Sequence, residues 1–249
     1  MNKKPQVCAI IEARMGSSRL PGKVMLDLAG RPMLVRMIER VRRAALVDTV
    51  VVATTQTPAD DIIEATCRKH GCPVFRGSEN DMLDRLLGAA ATFGADIIVQ
   101  LTGDCPAVDH RHIDRSVAMF LEGSYDYVCN NMPPTLPIGF DVRLFPTEVL
   151  ALVGELTSDP IDRVHGSYYI YTRPERFRLG SWGVTEDMLP KLRLTVDEFP
   201  DYELMCSVFE ALLPLDEDFS AEDVVAFLRD RPQLASINAR VRQKAPQEG

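Results

Sequence analysis

The sequence predicts an α/β domain built on a mainly parallel sheet with helices on both faces. Two patterns carry that prediction. Strand-like apolar runs alternate with amphipathic helical runs through the first half of the chain, and their connections are short. The first of those runs, Val7–Ile11, is apolar throughout, the mark of a strand buried on both faces. At 249 residues the chain is long enough for one such domain with a substantial core.

Val7–Ile11 is the first strand. Pro32 opens a helix in which Met33, Leu34, Met37, Ile38 and Val41 recur at helical spacing, opposite Arg36, Glu39, Arg40, Arg42 and Arg43. Thr49–Thr54 is the second strand. Asp60 and Asp61 start a helix with apolar positions Ile62, Ile63 and Cys67, where their charge suits the positive end of the helix dipole, and Gly71 ends it. Pro73–Arg76 is a third strand, followed by a helix through Met82, Leu83, Leu86, Leu87 and Ala90 that stops at Gly94. Asp96–Leu101 is the fourth strand. In parallel α/β sheets ligands bind at the carboxyl ends of the strands, which directs attention to the residues after Ile11, Ala53, Phe75 and Leu101.

The second half is less regular. Met132–Pro137 reads as a loop, Gly139–Phe145 as a strand, Thr147–Leu156 as a helix and Arg163–Tyr171 as another. Phe177–Val184 and Arg193–Val196 read as strands, and helices follow around Tyr202–Leu212 and Ala221–Arg229. Ser220 with Asp223 forms a capping-box pattern for the last of these. Arg240–Gly249 is polar and expected to fray.

Composition is ordinary for a globular chain, at 46% hydrophobic and 26% charged. A net charge of -8 lacks the field that sequence-independent nucleic-acid binding relies on, so a polyanionic ligand must be held by a local basic cluster. The six cysteines form no CxxC pair and no zinc-like spacing with histidine, and read as buried free thiols of a reducing cytosol. No run approaches the ~20 apolar residues of a membrane span. Lys3 and Lys4 precede an apolar stretch too short for a signal sequence, and the expected location is cytoplasmic.

The most informative stretch is Glu12-Ala13-Arg14-Met15-Gly16-Ser17-Ser18-Arg19-Leu20-Pro21-Gly22-Lys23, at the carboxyl end of the first strand. Glycines let the backbone approach a phosphate and turn its N–H groups inward. Arg14 and Arg19 offer forked donors, and Lys23 a mobile point charge. The loop is not a Walker A motif: five residues separate Gly16 from Gly22-Lys23, and Val24 stands where a magnesium-binding hydroxyl belongs. Nor is it the GxGxxG of a dinucleotide site. A metal therefore needs carboxylates elsewhere. Asp104, in Thr102-Gly103-Asp104-Cys105-Pro106, and Asp197, after Arg193–Val196, are the candidates, each also readable as an ordinary turn aspartate. Asp109–Asp114 reads as a helix start, with His110 and His112 solvated and on different faces.

The stretch Ala13–Lys23 resembles the signature of the cytidylyltransferases that activate acylneuraminate and 3-deoxy-manno-octulosonate sugars. The closer resemblance is to their spore-coat polysaccharide biosynthesis protein F branch. The similarity extends to Val52-Ala53-Thr54-Thr55, Phe75-Arg76-Gly77-Ser78, Asp84-Arg85, Thr102–Pro106, Tyr125–Val128 and Arg193–Asp197, nearly the whole chain. It implies a Rossmann-like nucleotide-diphospho-sugar transferase fold of three α/β/α layers, in a homodimer, in which a hydroxyl of a sugar or sugar acid attacks the α-phosphate of CTP and pyrophosphate leaves. By this resemblance Arg14, Ser17, Ser18, Arg19 and Lys23 hold the triphosphate, with Ala13, Gly16, Gly77 and Gly103 also in the nucleotide site. Thr54, Thr55 and Gln100 lie near base and ribose. Asp104 and Asp197 match the Mg2+ carboxylates, and Asp141, Arg163 and His165 fall in the acceptor part. Residues 1–131 form the nucleotide half of a single domain, 132–192 the acceptor and dimer segment, and 193–249 the closing strand and helices. The branch's Asp-Val-Glu is here Asp141-Val142-Arg143, its Arg-Glu-His is Arg163-Val164-His165, and the proline after Asp197 is displaced to Pro200; the first two departures fall in the acceptor part and leave the acceptor's identity open. Two rival readings remain open, a sugar-nucleotide-dependent glycosyltransferase and a non-catalytic nucleotide-binding protein. Gly103-Asp104-Cys105 carries one acid where the former usually has a DxD.

Overall fold

The computed structural model describes residues 4–248; Met1–Lys3, including the Lys3 of the signal reading, and Gly249 lie outside the described residues. Along the chain come β1 (Val7–Glu12), α1 (Met33–Val41), β2 (Thr49–Thr55), α2 (Asp61–Lys69), β3 (Val74–Gly77), α3 (Met82–Phe93), β4 (Ile97–Thr102) and α4 (His110–Glu122). Then follow β5 (Tyr127–Cys129), β6 (Arg143–Pro146), α5 (Thr147–Leu156), α6 (Pro160–Val164), α7 (Tyr168–Tyr171), β7 (Leu179–Ser181), α8 (Phe199–Leu212), α9 (Ala221–Arg229) and α10 (Pro232–Ala235).

These strands form one sheet in the order β3-β2-β1-β4-β6-β5-β7. β6 runs antiparallel to its neighbours β4 and β5, and the remaining pairs are parallel. Alternation along β1 sends Val7, Ala9 and Ile11 to one face and Cys8 and Ile10 to the other. The first face packs on α1, α2, α4, α8 and α9 through residues such as Met37, Ile113, Val208 and Val224. The second packs on α3, α5 and α7 through Leu86, Val153 and Ile170. The result is three α/β/α layers. Strand order reverses beside β1, since β2 lies on one side of it and β4 on the other. Successive crossovers leave this point in opposite directions, opening a crevice at the carboxyl ends of β1 and β4.

The strands and helices read from the first half are present, within a residue or two of the expected bounds. Ile62 differs: it is 49% exposed, because Ile63 and Cys67, four apart, take the face toward the sheet and the adjacent residue turns away. In the second half the expected strand at Gly139–Phe145 begins only at Arg143. Gly139, at φ +112°, passes so close to Leu194 that a Cβ would lie 2.5 Å from its carbonyl carbon. The expected helix Arg163–Tyr171 is split by Gly166, at φ +63°, into α6 and α7. Arg193–Val196 is extended without being a strand, held by one bridge to Ile138 and by Val196 N–H donating to the Asp104 carbonyl at 2.8 Å.

His110 and His112 are not solvated. His110 pairs with Asp218 at 3.1 Å. His112 is buried edge-on against Trp182 and Phe140, because α4 docks this turn on the sheet together with Ile113, Ser116 and Val117. Burial holds the His112 imidazole below its usual 6.5, against the opposing pull of Asp109 and Glu222. The unfolded ring binds a proton more readily than the folded one, so this stability is full above about 6.5 and drains away as pH falls through the lower folded value. Unfolding free energy measured between pH 7 and 5 should therefore decline less steeply in His112→Gln than in the wild type.

Candidate active site

A cavity of about 510 Å³ opens at the carboxyl ends of β1 and β4. Its floor is the segment leaving β1, pinned by Met15 N–H to Asp60 at 2.7 Å and by Ala13 N–H to the Ala53 carbonyl at 3.2 Å. Thr54 and Thr55 also donate to Asp60. Burial raises the Asp60 carboxyl, but the hydrogen bonds from Thr55, Met15 and Thr54 outweigh it and hold it below the usual carboxylate range. The loop then doubles back, Gly22 N–H reaching the Met15 carbonyl at 2.9 Å with Gly22 left-handed at φ +72°. That turn delivers Lys23 to the cavity.

Lys23 Nζ lies 2.7 Å from Asp104 and 2.8 Å from Asp197, so one ammonium joins two carboxylates from distant parts of the chain. Arg19 reaches the same Asp197 oxygen at 2.9 Å, and Arg193 donates to the other. Behind them Asp201, fully buried, accepts the N–H groups of Asp197 and Glu198, each at 2.9 Å, and is held by Arg193 and Asn238. Burial alone would lower the Lys23 ammonium; Asp104 and Asp197 overcome it and raise the group. Burial likewise pushes Asp104 up, and Lys23 brings it below the usual carboxylate range. Gly103 makes the approach possible: a Cβ there would sit 2.6 Å from the Glu12 carbonyl oxygen, to which the Gly103 N–H donates.

Glu12, the last residue of β1, also lines the cavity. Its carboxyl is pushed up to about 6 by burial, against the lowering influence of the Gln100 hydrogen bond, Arg85 and Arg143. Gln100 donates to Glu12 at 2.6 Å and accepts from the Ser167 hydroxyl at 2.6 Å, tying β4 to the turn that carries His165 into the cavity. Arg85, Glu79, Asn80, Val164 and Lys244 are also among the lining residues.

Of the residues singled out in the sequence, Ala13, Arg14, Ser17, Ser18, Arg19, Lys23, Gly103, Asp104, His165 and Asp197 line this one cavity. Gly16 lies in the same loop, beside Glu79. Outside the lining, Thr54 and Thr55 are buried on Asp60, Gln100 is behind Glu12, and Gly77 is packed between Phe75 and Arg85. Asp141 accepts from Asn131 at 2.8 Å, and Arg163 pairs with Asp81 at 2.5 Å. Glu12 and Arg85 stand inside motifs quoted from the sequence but had no role assigned there, and Lys244 was read only as part of the polar tail; all three line the cavity. A charged residue closing an apolar strand was a visible signal for Glu12; the polar tail offered none for Lys244.

Two carboxylates converging within 3 Å of one point suit a divalent cation whose other ligands are phosphate oxygens and water, as is usual for magnesium. Among the described residues no group of three or more His, Cys, Asp or Glu side chains could hold a metal unaided. The cationic loop and the carboxylate pair together form an arrangement able to bind a polyphosphate with a bridging metal.

Known proteins share both sequence and architecture with this chain. A family model described as cytidylyltransferase matches residues 8–226. The spore coat polysaccharide biosynthesis protein SpsF of Bacillus subtilis is 34% identical over 235 residues, covering 91% of this chain and 95% of that protein. A 3-deoxy-manno-octulosonate cytidylyltransferase of Geobacter sulfurreducens is 42% identical over 118 residues, 47% of this chain and 46% of its own. The structure of a cytidylyltransferase from Leptospira borgpetersenii superposes with a TM-score of 0.89 at 33% identity, covering 97% of this chain and all of that one.

Gly103→Ala should cost about 1–3 kcal/mol by overpacking. A chain of this size should then melt roughly 2–10 °C lower in calorimetry.

Proposed function

This chain belongs to the cytidylyltransferase family, and we propose that it transfers CMP from CTP to a hydroxyl of a sugar or sugar acid, releasing pyrophosphate, for surface polysaccharide or glycan synthesis. The observation that carries the reading is the Lys23-bridged pair Asp104 and Asp197 beside the cationic loop. The fold is that of the Rossmann-like nucleotide-diphospho-sugar transferases.

In this mechanism the acceptor oxygen attacks the α-phosphorus in line, a P–O bond forms, and the bond from that phosphorus to the bridging oxygen breaks. Catalysis is then chiefly positioning and charge stabilisation. Arg14 and Arg19 offer forked donors to the β- and γ-phosphates, and Ser17 and Ser18 offer hydroxyls. Lys23, released from its carboxylates as phosphate enters, follows the charge onto pyrophosphate. Asp104 and Asp197 would hold magnesium, which when bound neutralises charge on the phosphate oxygens. Glu12, with its carboxyl near 6, and His165 line the cavity as the groups able to accept the hydroxyl proton.

Residues 1–131 take the nucleotide in this reading, 132–192 the acceptor and the dimer contact, and 193–249 complete the phosphate side. Exposed Leu152 and Leu156 on α5 support a homodimer contact in the middle segment. Arg143, where the branch carries an acid, and Val164 favour an acceptor of different charge. In this reading the transfer takes place in the cytoplasm. Among the described residues no helix is long and apolar enough to cross a membrane.

The test is pyrophosphate release from CTP, UTP, GTP and ATP with a panel of sugar acids, with and without magnesium. Release restricted to CTP and dependent on the metal is the expected result. Asp104→Asn should lower kcat about a hundredfold, by analogy with the loss of one charge-stabilising group. A chain that releases pyrophosphate from no triphosphate, with any acceptor on the panel, would contradict the proposal.

A further inference from the structure

The last residues of the chain are not a frayed tail. Asn238 is buried and donates to the Arg193 carbonyl at 2.8 Å and to Asp201 at 2.7 Å. Beyond it, the Arg242 carbonyl accepts from Arg19 at 3.4 Å, and the Gln243 side chain accepts from Arg193. Further on, Gln247 donates to the Tyr168 hydroxyl at 3.0 Å, and Tyr168 packs its ring against His165. Arg242 and Glu248 close the segment on itself with two contacts at 2.9 and 3.0 Å, and Glu248 also accepts the Ala245 N–H at 2.8 Å. One end of the segment is thus fixed to the wall that carries Asp197, the other to the wall that carries His165.

Between those anchors Lys244 lines the cavity. It acts electrostatically on Glu248 of its own segment but forms no close ion pair among the described residues, whereas Lys23 is bridged between two carboxylates of the cavity and Arg19 pairs with Asp197 and Glu198. The segment also lies beyond residue 226, where the match to the family model ends, so nothing in that match assigns it a role.

We propose that Lys244 is a ligand of the pyrophosphate portion of the bound triphosphate, held over the cavity by residues 240–248 acting as a strap. The inference rests on the transferase reading and adds a cation to its phosphate site. A lysine suits this role, because it follows phosphate as a point charge on a flexible stem. Arg19 of the cationic loop donates to the Arg242 carbonyl, two residues before Lys244, which ties this segment to the loop that takes the phosphates in that reading.

Calorimetric titration of CTP, CMP and inorganic pyrophosphate into the full-length wild type, Lys244→Ala and Lys244→Arg tests this. Lys244→Ala should bind CTP and pyrophosphate about tenfold more weakly and CMP unchanged, with Lys244→Arg recovering most of the loss. Equal weakening of CTP and CMP, or CTP binding unchanged within twofold, overturns the inference while leaving the transferase reading intact. A wild type that binds neither CTP nor pyrophosphate overturns both.

Discussion

The active end of this molecule is organised around one ammonium group. Lys23 stands between Asp104 and Asp197, and every element near it serves to keep the three within hydrogen-bond reach. The turn at Gly22 aims the lysine. The missing side chain at Gly103 lets the Asp104 loop lie against the end of β1, and Asp201 fixes the backbone of Asp197. Two carboxylates this close repel each other unless a cation lies between them. The geometry that holds an ammonium between them also suits a divalent ion whose remaining ligands are phosphate oxygens.

A second constraint is the reversal of strand order beside β1. It opens the crevice and brings four separate pieces of chain to its rim: the loop after β1, the loop after β4, the Asp197 segment and the His165 turn. Gln100 links the last of these to Glu12 and so ties the His165 turn to the end of β1. A buried carboxyl raised to about 6 at that junction makes the site sensitive to pH near neutrality.

Much of this was legible in the sequence, for a physical reason. Strands buried on both faces are apolar throughout, and the helices between them are amphipathic, so β1 to β4 and α1 to α3 declare themselves locally. The phosphate loop is contiguous and its chemistry concentrated. The segments misread are those whose shape is set by distant contacts: Gly139 against Leu194, Arg193 against Ile138, Val196 against Asp104. Left-handed Gly166 divides a run whose composition looked helical. Thr54 and Thr55 illustrate the same limit within the site. The family resemblance set them near base and ribose, and the structure adds a bracing contact that the sequence did not announce, with both donating to Asp60. The polar tail was expected to fray because anchors such as the Tyr168 hydroxyl lie far away in sequence.

The central claim, that the Lys23-bridged carboxylates form the metal and triphosphate centre, is tested most directly by titrating Mn2+ into the protein with and without CTP, in the wild type and in Lys23→Met. With Lys23 neutralising both carboxylates, the account predicts no measurable metal binding to the wild type until CTP draws the lysine away. Lys23→Met should bind the metal without nucleotide. Equal metal affinity of the wild type with and without CTP, unaltered by Lys23→Met, would contradict it.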